Sequence, residues 1–337
     1  MSRPKRCPVT GLKLGTLCCA LWCCFATAAL SESLRVAVIS DLNGSYGSTE
    51  YRSSVSVAIN RIIEINPDLV ISTGDMVAGQ RLPHLSEAEL RAMWRAFYQT
   101  VTEPLHEAGI PLAVTPGNHD ASAYPGFELE RRVYSEEWQD RQPTSRLVEG
   151  SNYPFFYAFD LGPARFVSMD VTTVGELSAT QMEWLRKVTQ GGDAQIVFSH
   201  LPLWPFAIGR ETEVIGDRDL ERLFLDMGVD LHLSGHHHAF YPGNVDGLSV
   251  ISQACLGSGP RRLIGSSLKS DLAITLLEIS QEGIINVSAV KGPRFSDPVA
   301  VSGLPKSIRS SLRVIERLDI SPSETVVWQN RFRATSE

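Results

Sequence analysis

The stretch Arg35-Val36-Ala37-Val38-Ile39-Ser40-Asp41-Leu42-Asn43 sets how the rest of the chain is read. A short apolar run rich in β-branched residues reads as a buried strand. This one runs out on a carboxylate and, two residues later, a carboxamide. The same pattern returns four times. Asp68 to Ser72 leads into Thr73-Gly74-Asp75, and Pro111 to Val114 leads into Pro116-Gly117-Asn118-His119-Asp120. Ala194 to Phe198 leads into Ser199-His200, and Val229 to Leu233 leads into Ser234-Gly235-His236-His237-His238. Strand ends on one edge of a mostly parallel sheet are where open α/β folds place their ligands.

Helical patterns lie between these strands. Val55, Ile59, Ile62 and Ile63 recur at helical spacing until Asn66-Pro67 stops them. Leu85 to His106 reads as one long helix, opened by the Ser86/Glu89 capping-box pair. Ser178 to Thr189 and Asp217 to Met227 are helical as well. Residues 121–152 are polar and aromatic without a clear period, and are expected to be an insertion over the site. Phe155 to Asp160 and Ala164 to Asp170 flank a hairpin signal, Leu161-Gly162-Pro163. Leu248 to Ala254, Leu272 to Ile279 and Ile284 to Val290 read as consecutive antiparallel strands. Strand–helix alternation followed by a run of strands predicts an α/β fold of two packed mixed sheets, a β-sandwich covered by helices. The expected domain covers 29–290, and 291–337 form a C-terminal extension that includes possible edge strands.

The polar blocks supply carboxylates, imidazoles and a carboxamide, the ligand set that two adjacent divalent ions need. Asp75 is the best bridging candidate, because a carboxylate holds two cations close and reduces their repulsion. His236 and His238 are two apart, so in extended backbone both imidazoles reach one side while His237 faces the other. His237 is therefore read as packing or supporting, and His232, inside an apolar strand, as a core histidine. The Asn118 carbonyl oxygen is a neutral ligand. His119 beside it is placed to donate a proton, with Asp120 orienting its ring. Arg261 and Arg262 follow the glycine-rich Leu256-Gly257-Ser258-Gly259-Pro260 and are candidates to grip a substrate phosphate; a solvated turn is the competing reading.

In kind and order, these five motifs resemble those of the calcineurin-like metallophosphoesterases, which include purple acid phosphatases and cyclic-nucleotide phosphodiesterases. The resemblance spans Asp41 to His238. It implies that Asp41, Asp75 and His238 hold one metal ion. Asp75, Asn118, His200 and His236 hold the second, with His119 near the leaving group. One position departs from the family pattern: the usual first motif is Asp-x-His, and here Asn43 stands in the histidine's place. A carboxamide oxygen suits harder ions such as manganese or magnesium better than zinc or iron, and of the four manganese is favoured at a site to which Asn43 is assigned. Asn43 can ligate, hydrogen-bond a bound water, or leave the site partly filled. Where the purple members carry a ligand tyrosine after the second motif, this chain has Met76-Val77-Ala78-Gly79, and no iron–tyrosinate colour is expected. Tyr46 lies close to the first motif and can approach the site.

The implied function is hydrolysis of a phosphomonoester or phosphodiester on a phosphorylated small molecule, with no organic cofactor. A pyrophosphate-bond hydrolase, acting on a nucleotide or lipid precursor, and a catalytically impaired binding protein are the alternatives. The net charge of −7 and the lack of a basic run argue against general nucleic-acid binding. Oligomeric state is not legible.

Residues 1–28 are expected to be a secretory leader. Arg3, Lys5, Arg6 and Lys13 form a basic start, Leu14 to Leu30 is apolar and free of acids, and Ala26-Thr27-Ala28 offers a cleavage site. Five of the six cysteines lie in that stretch, leaving Cys255 without an intramolecular partner. Cys255 itself reads as a buried, inert thiol. An exported protein, periplasmic or secreted, is the expectation, with no stable membrane insertion after cleavage; an uncleaved anchor is the alternative. Amino-terminal sequencing of protein from the cell envelope should begin near Ala29, whereas Met1 in a membrane pellet would identify an anchor.

Overall fold

Alternation divides the side chains of the first strand, β1 (Leu34–Ile39), between two cores. Val36 and Val38 face one way, and Ala37 and Ile39 the other. The computed structural model describes Met1, residues 33–189 and residues 191–329. Apart from Met1, the expected leader lies outside the described residues, and no described helix is long and apolar enough to cross a membrane.

Helix α1 (Ser53–Ile65) buries Val55, Ala58, Ile59 and Ile62, the stripe that a 3.6-residue period puts on one face. It leads to β2 (Leu69–Ser72), parallel to β1. Helix α2 (Glu87–Phe97) begins at the expected capping box, with Ser86 and Glu89 satisfying each other's backbone amides. The single long helix expected here is interrupted. A wider turn over Tyr98–Thr102 separates α2 from α3 (Glu103–Glu107), because Pro104 has no N–H for a continuous ladder. Strand β3 (Leu112–Val114) then runs parallel to β2.

The short α4 (Asn118–Ala121) and α5 (Glu128–Trp138) follow. Helix α5 lies inside the segment that lacks a clear period in sequence. Its Val133, Tyr134 and Trp138 bury against Trp94 and Phe97 of α2, so part of that segment is core. The hairpin β4 (Tyr157–Leu161) and β5 (Ala164–Ser168) precedes α6 (Ala179–Val188), β6 (Ala194–Ser199), α7 (Arg218–Asp226) and β7 (Leu231–Ser234). Next come β8 (Tyr241–Val245), β9 (Leu248–Ser252), β10 (Ala273–Ile279) and β11 (Ile285–Lys291). Strands β12 (Asp297–Pro298), β13 (Ser307–Arg309), β14 (Val314–Arg317) and β15 (Val326–Trp328) add to the sheets at β11 and β8.

One sheet has the order β12-β11-β10-β1-β2-β3, with β15 also beside β11, and the other β13-β14-β8-β9-β7-β6-β5-β4. Val38, Ile71, Phe166, Ile196, Phe198 and Leu233 are among the residues that fill the space between them. Helices α1, α2 and α5 cover the first sheet, and α6 and α7 the second. This is the predicted α/β sandwich of two mixed sheets flanked by helices. One part of the strand order differs from expectation. Strand β9 is not the neighbour of β10; it runs parallel to β7 in the other sheet. Residues 253–272 cross between the sheets, and Leu256, Gly257 and Ser258 donate backbone hydrogen bonds to the end of β1 on the way.

His232 sits on β7, fully buried beside Phe224, with Nε2 2.8 Å from the Ser199 hydroxyl. Burial pushes its pKa down to about 3. As pH falls below the ordinary value of 6.5, the unfolded chain therefore binds this proton and the folded chain does not. Stability is unaffected above that value and is lost progressively toward pH 3. His232→Gln should flatten this acid limb: melting temperatures between pH 6 and 4 should fall less than in the parent protein. Equal slopes would show that the His232 charge is accommodated.

Candidate metal centre

The ends of β1 and β2 are joined before any side chain is considered. Asp41 N–H donates to Gly74 O at 3.0 Å, and Leu42 and Asn43 N–H donate to Asp75 O at 2.9 and 3.1 Å. Asp41, Asp75, His236 and His238 all have positive φ, at 52°, 55°, 64° and 50°. Such backbone is uncommon outside glycine and is paid for at roughly 1–3 kcal/mol per residue. Gly117 is required by proximity instead, since a methyl there would run into the Asp75 backbone nitrogen and carboxylate. Gly74 combines φ of 93° with Gly117 backbone 2.8 Å from where a Cβ would stand.

The side chains converge as the motifs predict. Ligand atoms of Asp75, His200 and His236 lie within 4.8 Å of one another, as do those of Asp41, Asp75 and His238. Asp75 belongs to both groups. The Asn118 Oδ1 completes the first group, 3.0 Å from His200 Nε2, while its Nδ2 donates to Gln80 at 2.7 Å.

Hydrogen bonds outside the centre fix which ring nitrogen faces in. His200 Nδ1–H donates to Thr73 O (2.9 Å), His238 Nδ1–H to Gly259 O (3.0 Å) and His236 Nε2–H to Glu213 Oε2 (2.8 Å). Each neutral imidazole has one N–H, so the remaining lone pairs point inward. There they meet more acceptors: His238 Nε2 is 3.0 Å from Asp41 Oδ1, and His200 Nε2 is 3.3 Å from Asp75 Oδ1. Asp41 Oδ1 is buried without a hydrogen-bond partner. Acceptors facing acceptors at these distances repel unless a proton or a metal ion lies among them. The donor set therefore fits two divalent ions.

The titrations point the same way. Burial alone would raise the Asp75 and Asp41 carboxyls, but His200 and His119 hold Asp75, and His238 holds Asp41, below the usual carboxylate range. Burial alone would lower His200, yet Asp75 and Asp41 lift it to about 9. The pocket draws positive charge to itself.

Two expected assignments change. Asp120 does not sit behind the His119 ring. Its carboxylate accepts from the backbone of Met76 (2.8 Å), Val77 (2.9 Å) and Gly117 (2.9 Å), tying the second and third motif loops together. A carbonyl orients His119 instead: Nδ1–H donates to Gly79 O at 3.0 Å, which leaves Nε2 3.8 Å from Asp75 Oδ2. Asn43 is buried, but its carboxamide oxygen accepts from the Ser258 hydroxyl, a bond that the expected ligand role did not anticipate. Arg261 lies against the centre, with Nη1 donating to His236 O. Arg262 is exposed, and its backbone carbonyl receives Ile208 N–H. His237 is buried against Phe206. Buried Cys255 donates to Ser258 O at 3.2 Å. The sequence reading missed Glu213 and Gln80, which lie outside every motif.

Two recesses open beside the ligands. One, of about 460 Å³, is lined by residues including Asn43, Tyr46, Arg52, His119, His238 and Ser258. The other, of about 430 Å³, includes Gln80, Asn118, Tyr124, Glu213 and His236.

A model of the calcineurin-like phosphoesterases matches residues 34–240, more than half of the chain. The chain belongs to that family. No curated protein matches it. Among solved structures, it is similar to the purple acid phosphatase PPD1 of yellow lupin (Lupinus luteus) seeds, at 20% identity and a TM-score of 0.57. That match covers 77% of this chain and 52% of the lupin protein, so the chain spans about half of that relative's length. It is also similar to PhoD, at 10% identity, a TM-score of 0.55 and coverage of 90% and 75%. GAP50, the anchor in the inner membrane complex of Plasmodium, matches at 15% identity and a TM-score of 0.50, covering 90% of this chain and 99% of that one. At these identities the likeness is one of fold.

Asp75→Asn should lower metal bound per chain more than any change at Asn43, because it weakens the carboxylate shared by both groups. Asn43→His should raise zinc retention by roughly 10- to 100-fold, the size of effect that outer ligand partners commonly have. Metal analysis after dialysis of the three proteins checks both outcomes.

Proposed function

We propose that this protein is an exported, divalent-metal-dependent phosphoester hydrolase. The observation that carries the proposal is the convergence of imidazole lone pairs on the oxygens of Asp41, Asp75 and Asn118. Asp41, Asp75 and His238 would hold one ion, and Asp75, Asn118, His200 and His236 the other. Manganese is favoured where Asn43 contributes. The bound pair would neutralise phosphoryl oxygens and make water a competent nucleophile near neutral pH.

The chain's own residues then have distinct tasks. Gly79 O holds the His119 Nδ1 proton, so Nε2 is the atom that carries a proton to the departing alkoxide. His119 lines the 460 Å³ recess, which assigns the leaving group to that side. Asp120 keeps the loop carrying His119 in place through three backbone amides. The second recess, beside Asn118 and His236, has no leaving-group task. Space on both sides of the centre favours a phosphodiester, whose retained arm needs a place of its own. Arg261 spends one donor on His236 O and has others to offer a phosphoryl oxygen.

A second reading is a catalytically impaired, metal-containing binding protein; GAP50, named as an anchor, shares the fold. One assay separates the two. With manganese added, the protein should hydrolyse alkyl phosphodiesters, and His119→Ala should keep its metal while losing roughly 10²- to 10⁴-fold in rate. The loss should shrink for leaving groups acidic enough to depart unprotonated, such as p-nitrophenolate. Full activity of His119→Ala on alkyl esters would remove the general acid, and no turnover with metal bound would favour the anchor reading.

A further inference from the structure

Among the described residues, the exposed Phe, Tyr and Trp side chains are Tyr46 and Tyr124, 58% and 41% accessible. They stand one in each recess beside the metal centre. Tyr46 is the better placed. Its ring centroid lies 5.1 Å from that of His119, tilted at 56°. The loop that presents it is anchored: Ser48 N–H closes the turn onto Ser45 O at 2.9 Å, and Gly47 N–H donates to Ala78 O at 2.7 Å. Gly79, the next residue, holds His119 Nδ1 through its carbonyl and donates its own N–H to His119 O at 2.9 Å. One short segment, Ala78-Gly79, therefore fixes both the tyrosine and the histidine. Glu50 and Arg52 stand at the exposed rim of the same recess, where they can hydrogen-bond hydroxyl or carbonyl groups.

An anchored aromatic ring beside the proton donor, with more than half its surface open, is a stacking platform. We propose that Tyr46 is a specificity-determining residue that selects esters whose leaving arm carries a planar ring, either a nucleoside or an aryl group. The assignment rests on the proposed function for the position of the leaving group. Removing a stacking aromatic ring costs roughly 5- to 150-fold in affinity for a base, so a loss of about tenfold is expected for such an arm.

The test is binding to the manganese-loaded protein, which does not depend on turnover. Methylphosphinates, in which both arms are joined to phosphorus through carbon so that no ester bond is present to cleave, would be titrated by calorimetry, their second arm being ethyl, benzyl or a nucleoside joined through its 5′-carbon. Ring-bearing arms should bind about tenfold tighter than ethyl. Tyr46→Ala should abolish that advantage and Tyr46→Phe should keep it, while ethyl binding stays within about twofold in both. An advantage confined to the nucleoside or to the benzyl arm would identify the source of the ring. Equal binding of all three arms, or an advantage that survives Tyr46→Ala, overturns the inference. Hydrolysis of the matching esters is measured separately, so a protein that binds without turnover would defeat the proposed function and leave this result readable.

Discussion

Two carboxylates, Asp41 and Asp75, are buried at the junction of the sandwich sheets with their oxygens turned toward each other and toward imidazole lone pairs. Burying one such charge without compensation costs several kcal/mol, and a facing pair adds mutual repulsion. The rest of the centre answers that constraint. The carbonyls of Thr73 and Gly259 and the carboxylate of Glu213 take up the outward N–H groups, so the inward atoms are acceptors. A cation is the species that satisfies all of them at once. The protein thereby holds an arrangement that is unfavourable when empty and strongly favourable when filled.

Holding it requires backbone that would relax if it were free. Four ligand residues with positive φ lie where strands end, and each end is stitched to another: Asp41 to Gly74, Asn43 to Asp75, Gly235 to His200 and Leu256 to Ser40. Asp120 adds its three amide contacts between the second and third loops. The strands beneath are packed from both faces, so their ends have little freedom to shift. The order of layers thus matters to the chemistry: helices outside, two sheets inside, ligands along one shared edge.

The residues that converge on the centre are legible because each motif sits where an apolar run stops, and periodicity locates that boundary well. The sandwich was legible for the same reason. The failures have physical causes as well. Adjacency in sequence suggests Asp120 as a partner of His119, but a tight turn places the carboxylate toward Met76 and Val77 and leaves the ring to Gly79 O. Backbone acceptors carry no sequence signal. Glu213 and Gln80 reach their partners from loops with no periodic marker. Helix α5 looked irregular because charged residues surround its three core anchors, and only tertiary packing on α2 selects which side is buried. Succession alone suggests pairing β9 with β10, but residues 253–272 cross between the sheets.

Asn43 shows how one residue separates the two halves of the centre. The Asn118 side is crowded: carboxylate, carboxamide and two imidazoles, with Gln80 and Glu213 orienting them from outside. The Asp41 side has two carboxylates and one imidazole, and the carboxamide that stands in the family's histidine position is held by Ser258. A histidine at 43 would bring a lone pair on a rigid ring. Asparagine brings an oxygen whose other partner is a hydroxyl, on the crossing that also anchors β1. An ion on this side would therefore be held mainly by charge rather than by ligand number, and charge favours hard ions with labile shells. Asn43 and Ser258 also line the recess beside His119, where Tyr46 is the exposed aromatic ring. On the proposed function, metal preference and leaving-group preference meet at Asn43, because it lies close to Asp41 in the chain and on the wall of the recess assigned to the leaving group.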